Sequence, residues 1–144
     1  MLRPIEILLV EDSPTDAMMT REAFEYSKLI NHLHLVEDGV EAIKFLRKQE
    51  KYASAPRPDL ILLDLNLPKK SGKEVLQEIK TDQELISIPV VVLSTSKAEE
   101  DILKSYGLCA NCYIIKPVEF DKLVEVIKIL NNFWFSIVTL PTTI

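Results

Sequence analysis

The sequence predicts an α/β fold: a three-layer sandwich with helices on both faces of a five-stranded parallel sheet. Three observations carry this. Short apolar runs alternate with segments of helical period, and no internal repeat interrupts them. Two of the runs, Leu60–Leu63 and Pro89–Leu93, show no polar alternation, as expected of strands covered on both faces. Four runs stop at polar residues, and a parallel sheet collects all such ends on one side.

The first strand is Ile5–Val10, broken only by Glu6 and ending in Glu11-Asp12. Ser13 suits an N-cap and Pro14 the first helical position. A helix of about four turns follows, carrying Ala17, Met18, Arg21, Ala23, Phe24 and Leu29, with Asn31 beyond its end. His32–Val36 alternates polar and apolar and reads as an edge strand. His32 and His34 share a face; without a third ligand nearby they read as solvent-facing rather than as a metal site. Asp38-Gly39 is a turn into a helix bearing Ala42, Ile43, Phe45 and Leu46. Lys48 to Pro58 is a long polar loop.

Leu60–Leu63 is the central strand, and it ends at Asp64. Burying a charge is expensive, so a carboxylate there calls for a reason other than packing. Capping the next helix is one; the later Gly72 is a better start for the Lys73–Thr81 helix, with Val75, Leu76 and Ile79 inward. Pro89–Leu93 runs into Ser94-Thr95-Ser96. Lys97–Tyr106 is a charged helix closed by Gly107. Tyr113–Ile115 is the fifth strand and leads to Lys116-Pro117. Phe120–Leu130 is the last helix, with Leu123, Val124, Ile127 and Leu130 at core spacing.

The 144 residues suit one domain. With 17 basic and 22 acidic residues the net charge is −5, which argues against nucleic acid as a direct partner. No apolar run approaches a membrane span and the N-terminus lacks a signal-peptide core, so a cytoplasmic location is expected. Cys109 and Cys112 form a single C-x-x-C, too few ligands for structural zinc, and read as reduced, largely structural thiols.

The strand ends converge on one chemistry. Glu11, Asp12 and Asp64 would repel one another unless a hard divalent cation relieved them, and few protein ligands with several waters point to Mg²⁺. The backbone carbonyl of Asn66 could complete that shell. Lys116 and the Ser94 hydroxyl could each hold a phosphoryl oxygen. A carboxylate nucleophile, Mg²⁺, a lysine and a hydroxyl are together what phosphoryl transfer to an aspartate requires. Singly these residues are ordinary caps and solvated charges.

Glu11-Asp12, Asp64, Leu67-Pro68, Gly72, Ser94, Tyr113 and Lys116-Pro117 together resemble the signature of a response-regulator receiver domain, over about residues 4 to 130. The resemblance implies a flavodoxin-like sheet of order 2-1-3-4-5. It implies Asp64 as phosphoacceptor from a histidine kinase, and Mg²⁺ (or Mn²⁺) held by Asp12, Asp64 and the Asn66 carbonyl, with Glu11 acting through water. Ser94 and Tyr113 would be the switch residues, Lys116 the phosphoryl contact, and the Lys116–Pro117 bond cis. The implied activity is that of a signalling domain that promotes its own phosphorylation and slow autodephosphorylation. Lys70 stands where many receivers have an apolar residue, Cys109 where glycine is usual, and the 48–58 loop is longer than usual.

Asn111-Cys112-Tyr113, the long loop and the apolar C-terminal segment resemble the small, stand-alone response regulators paired with cyanobacterial phytochromes, whose last helix and extension take part in homodimers. Residues 131–144 follow the expected domain (1–130) without a separate output domain. Phe133, Trp134, Phe135, Ile137, Val138 and Leu140 are too apolar to stay wet. They fold back on the domain or bury against a partner; we favour a dimer, with Phe133, Trp134, Phe135 and Val138 as contacts. A stand-alone switch must pass its signal to a downstream protein by contact. The alternatives are a Mg²⁺-dependent phosphatase with an aspartate nucleophile, which lacks the D-x-D spacing on its first strand, and a flavin carrier. The acidic Glu11-Asp12-Ser13-Pro14 loop would repel a flavin phosphate.

Overall fold

In a computed structural model, residues 3–27, 29–105, 107–108, 110, 112–116 and 119–134 are described. The five expected strands are present, as β1 (Ile5–Val10), β2 (Asn31–Val36), β3 (Leu60–Asp64), β4 (Val90–Ser94) and β5 (Cys112–Ile115), with ends that differ from the expected ones by a residue or so. They form one parallel sheet of order β2-β1-β3-β4-β5, as expected. The helices are α1 (Pro14–Tyr26), α2 (Gly39–Leu46), α3 (Gly72–Thr81), α4 (Lys97–Ser105) and α5 (Phe120–Trp134).

The side-chain period of two splits each central strand between two cores. Ile7, Leu9, Leu60, Leu62, Val91 and Leu93 face α1 and α5, where they meet Phe24, Leu123 and Ile127. Leu8, Val10, Ile61, Leu63, Val90 and Val92 face the opposite layer, with Ala42, Phe45, Leu76, Ile79 and Leu103. All five residues of β3, and all five of β4, are buried. That double coverage explains why their sequence reads as unbroken apolar runs.

Local signals set most helix starts. Ser13 caps α1, with Pro14 inside the first turn, and Asp38 caps α2. The cap of α3 is Ser71, in a reciprocal capping box with Glu74, so Gly72 opens the helix rather than preceding it.

Several boundaries differ from the expected ones. α1 ends at Tyr26, leaving Leu29 outside, and β2 begins at Asn31 because that residue still pairs with Ile5. A 3-10 turn, Glu50–Tyr52, lies within the long loop; Phe45 packs on Tyr52, whose hydroxyl donates to Glu41 Oε1 at 2.7 Å. α5 continues past Leu130 to Trp134. Apolar spacing alone gave no stop there, and asparagines are tolerated in a helix at modest cost.

The two histidines of β2 are not simply solvent-facing. His32 Nδ1 lies 2.6 Å and His34 Nε2 2.8 Å from the two carboxylate oxygens of Glu6 on β1. The parallel register sets Glu6 beside His32, so one carboxylate clamps both rings. This accounts for the charge inside the first apolar run.

Candidate functional site

The register that builds the sheet also aligns its polar ends. Val10 pairs with Leu63, Asp64 with Leu93 and Ser94 with Ile115. Hydrogen bonding continues one residue beyond the strands: Glu11 N donates to Val36 O at 3.0 Å, Leu65 N to Leu93 O at 3.0 Å and Lys116 N to Ser94 O at 2.7 Å. Glu11, Asp64, Ser94 and Lys116 are therefore fixed by backbone ladders at the carboxyl end of the sheet.

Lys116 is the hub. Its Nζ donates to Asp64 Oδ2 at 2.9 Å and Glu11 Oε1 at 3.0 Å, and makes an ion pair with Asp16 Oδ2 at 3.0 Å. Burial works against its charge, but the hydrogen bonds to Asp64, Glu11 and Asp16 outweigh that and hold the ammonium above its ordinary pKa. Asp64 is 3% exposed, and its other oxygen, Oδ1, accepts from Asn66 N at 2.9 Å. Carboxylate atoms of Glu11, Asp12 and Asp64 all lie within 4.8 Å of one another. Two of those groups are buried and Asp12 faces solvent. Three hard oxygen donors with one open side fit a divalent cation that keeps part of its hydration shell.

Ser94 is fully buried, and its hydroxyl donates to Ser96 O at 3.4 Å rather than to Asp64. Tyr113 is half-buried; its hydroxyl accepts from Ala110 N at 2.9 Å and donates to Leu108 O at 3.4 Å. Pro117, Cys109, Phe135 and Val138, and the side chains of Phe133 and Trp134, lie outside the described residues, and with them the expected cis bond and dimer contacts. Cys112 is a free thiol, and burial pushes its pKa up.

The loop after Asp64 is clamped between two glycines. A Cβ on Gly39 would meet Lys70 O at 2.0 Å, and one on Gly72 would meet Asp64 O at 2.4 Å. Lys69 adopts a left-handed conformation (φ 64°), and its ammonium lies 3.5 Å from Asp38. Lys70 pairs with Glu78 of α3. Lys70 is thus a tie between the loop and α3, a role its sequence context did not disclose.

Burial pushes the Glu11 carboxyl from 4.5 to about 7; the adjacent Asp64 carboxylate adds to the rise and Lys116 opposes it. The folded state holds this proton more tightly than the unfolded one. The group's stabilisation is therefore complete below about pH 4.5 and lost as pH rises through 7. Urea midpoints of the metal-free protein should fall through this window, and Glu11→Gln should flatten that part of the profile. An unaltered slope in the variant would contradict the assignment.

Compared with known proteins, the chain matches the response regulator receiver domain over residues 7–128. The chain belongs to the receiver-domain family. It is 47% identical to the response regulator Rcp1 of Synechocystis sp. over 138 residues, covering 96% of this chain and 94% of that protein. The crystal structure of the phosphorylated cyanobacterial phytochrome response regulator RcpA superposes with a TM-score of 0.81 at 50% identity, covering 93% of this chain and 96% of that one. The Mn²⁺-bound form of Rcp1 gives a TM-score of 0.79 at 46% identity, covering 91% and 94%. This receiver is a phosphorelay signalling protein, not a conventional enzyme, and its kind of site implies a histidine kinase as phosphodonor. The phosphatase alternative finds no support in these likenesses. No helix among the described residues is long and apolar enough to cross a membrane.

Sequence reasoning singled out Glu11, Asp12, Asp64, Ser94 and Lys116, all of which the fold brings to the carboxyl end of the sheet. It missed Asp16. An acid in the first turn of a helix reads as an ordinary complement to the helix dipole, and no local signal points it at a lysine 100 residues away in sequence.

Proposed function

We propose that this chain is a phosphoacceptor switch in a phytochrome-linked phosphorelay. The observation that carries the reading is the lysine-centred carboxylate cluster: a buried Asp64 held by Lys116, with Glu11 and Asp12 beside it. In the proposed transfer an Asp64 oxygen attacks the phosphorus of a phosphohistidine. An O–P bond forms, the N–P bond breaks, and its electron pair returns to the imidazole nitrogen. Asp64 is the nucleophile, and Lys116 neutralises charge on the phosphoryl oxygens. Asp12, Asp64 and the Asn66 carbonyl would hold Mg²⁺, or Mn²⁺ as in the relative, with Glu11 engaged through water. The cation would supply charge neutralisation for the incoming phosphoryl group.

Phosphorylation adds charge at Asp64. Ser94, now turned to Ser96, and Tyr113, now tied to the loop before β5, are the proposed switch residues, shifting between two packed arrangements. The acyl phosphate would be lost by slow autodephosphorylation. We further propose that residues 1–130 are the receiver unit and 131–144 an apolar extension. The continuation of α5 to Trp134 supports the last helix as the start of a homodimer contact. A cytoplasmic location and a protein target downstream complete the reading, together with no nucleic-acid contact, which the net charge of −5 supports.

The test is phosphotransfer. A phytochrome-type histidine kinase is autophosphorylated with labelled ATP and mixed with the full chain and Mg²⁺. The label should leave the kinase and appear on this chain as a base-labile adduct. Retention of label by that kinase, with ready labelling of this chain by another class of kinase, would overturn the phytochrome pairing. Light scattering with and without acetyl phosphate tests the dimer; a monomer in both conditions refutes it.

A further inference from the structure

Asp16 does not belong to the carboxylate group suited to a cation, yet it makes as close a contact to Lys116 as Glu11 does. An ammonium has three protons. Here Lys116 donates to Asp64 and Glu11, and Asp16 lies 3.0 Å away as an ion pair, so three carboxylates crowd one ammonium. A phosphoryl oxygen on Asp64 that takes Lys116 as a donor competes with these partners for its three protons.

The three are not equally held. Glu11 and Asp64 side chains are 1% and 4% exposed, whereas that of Asp16 is 40% exposed. Stripping a partner from a buried carboxylate leaves it uncompensated in a low dielectric, while a half-exposed carboxylate returns to water at small cost. Asp64 stays beside Lys116 after phosphorylation, because it carries the phosphoryl group and keeps a carbonyl oxygen as an acceptor. The backbone of Asp16 is pinned independently of its side chain: its N–H donates to Ser13 Oγ at 3.3 Å, and its carbonyl accepts from Thr20 Oγ1 at 2.9 Å. Release therefore requires no movement of α1.

We infer that Asp16 is an exchangeable partner of Lys116: it neutralises and positions the ammonium before phosphorylation and is displaced by the phosphoryl oxygen afterwards. Asp16 is in this sense a positioning residue that competes with the phosphoryl group. The inference rests on the assignment of Asp64 as phosphoacceptor.

The test titrates the Mg²⁺-loaded full chain with beryllium trifluoride, a mimic of the phosphoryl group, followed by fluorine NMR. Asp16→Asn, which frees Lys116 without altering the helix cap, should lower Kd by about threefold to fivefold, the upper part of the range for an exposed ion pair. Asp16→Glu should restore the wild-type value within about twofold. A crystal structure of the wild-type complex should show Lys116 on a fluoride and beyond hydrogen-bonding distance of Asp16. An unchanged Kd in Asp16→Asn overturns the exchange. So does a retained Lys116–Asp16 contact in the complex, even with a lowered Kd, because the effect would then be one of general charge. Asp64→Asn separates the two layers: binding of the mimic that survives in that variant refutes the site assignment itself.

Discussion

Asp64→Asn should abolish acyl-phosphate formation from acetyl phosphate in the presence of Mg²⁺. The substitution keeps the shape of the side chain and its hydrogen bond from Asn66 N, since the amide retains one carbonyl oxygen. It removes the anionic oxygen that would attack phosphorus, and an amide is no substitute as a nucleophile. It also takes from Lys116 its closest carboxylate, at 2.9 Å, and from the acidic group one of its three members. Labelling should fall to that of a protein-free blank, and divalent-cation affinity should weaken in the same variant. The fold should survive, because Lys116 keeps Glu11 and Asp16 as partners and Asn66 keeps its acceptor. Intact-mass measurement after a short incubation gives the readout: the wild-type chain gains one phosphoryl group and the variant none. Undiminished labelling of a folded variant would place the phosphoacceptor elsewhere.

Gly72→Ala should destabilise the protein by about 3 kcal/mol, at the upper end of overpacking effects. The reason is close approach rather than dihedral freedom. The new methyl would stand 2.4 Å from Asp64 O, 2.5 Å from Leu65 Cα and 3.0 Å from Asp64 C, all backbone atoms that no rotamer change can move. Gly72 N also donates to Leu65 O at 3.1 Å, so the first turn of α3 is bonded to the chain it would have to retreat from. Relief must come from α3 or from the end of β3. Either movement disturbs the loop that sets Asn66 against Asp64, so phosphorylation should slow along with the loss of stability. The urea midpoint and the acetyl phosphate rate check both effects. A loss below about 0.5 kcal/mol, within the usual range for an exposed site, would mean that α3 can pivot freely on Ser71.

These two residues show how legible the site was. Asp64 stood out in the sequence because a charge ended an unbroken apolar run, and desolvation makes that costly enough to need a cause. Gly72 was legible as the start of a helix, but not as a contact surface for the backbone of Asp64. The difference is one of range. Terminators, caps and side-chain period act over a few residues, whereas a close backbone approach is set by how a loop returns across the sheet edge.

The sequence alone determined the alternation of strands and helices. Its side-chain periods separated strand from helix, and β3 and β4 read as unbroken apolar runs because helices cover both their faces. It also determined that acids, a hydroxyl and a lysine end successive strands, because a parallel sheet puts those ends on one side whatever the loops do. Only the tertiary structure decided the rest. It decided that Glu6 clamps His32 and His34, since that needs the β1–β2 register, and that Lys70 ties the β3–α3 loop to Glu78. It decided that Asp16 reaches Lys116, which follows from α1 packing beside α5 over the same face of the sheet. Such pairings join residues far apart in the chain, and their energies depend on burial and distance, quantities that exist only once the chain has folded.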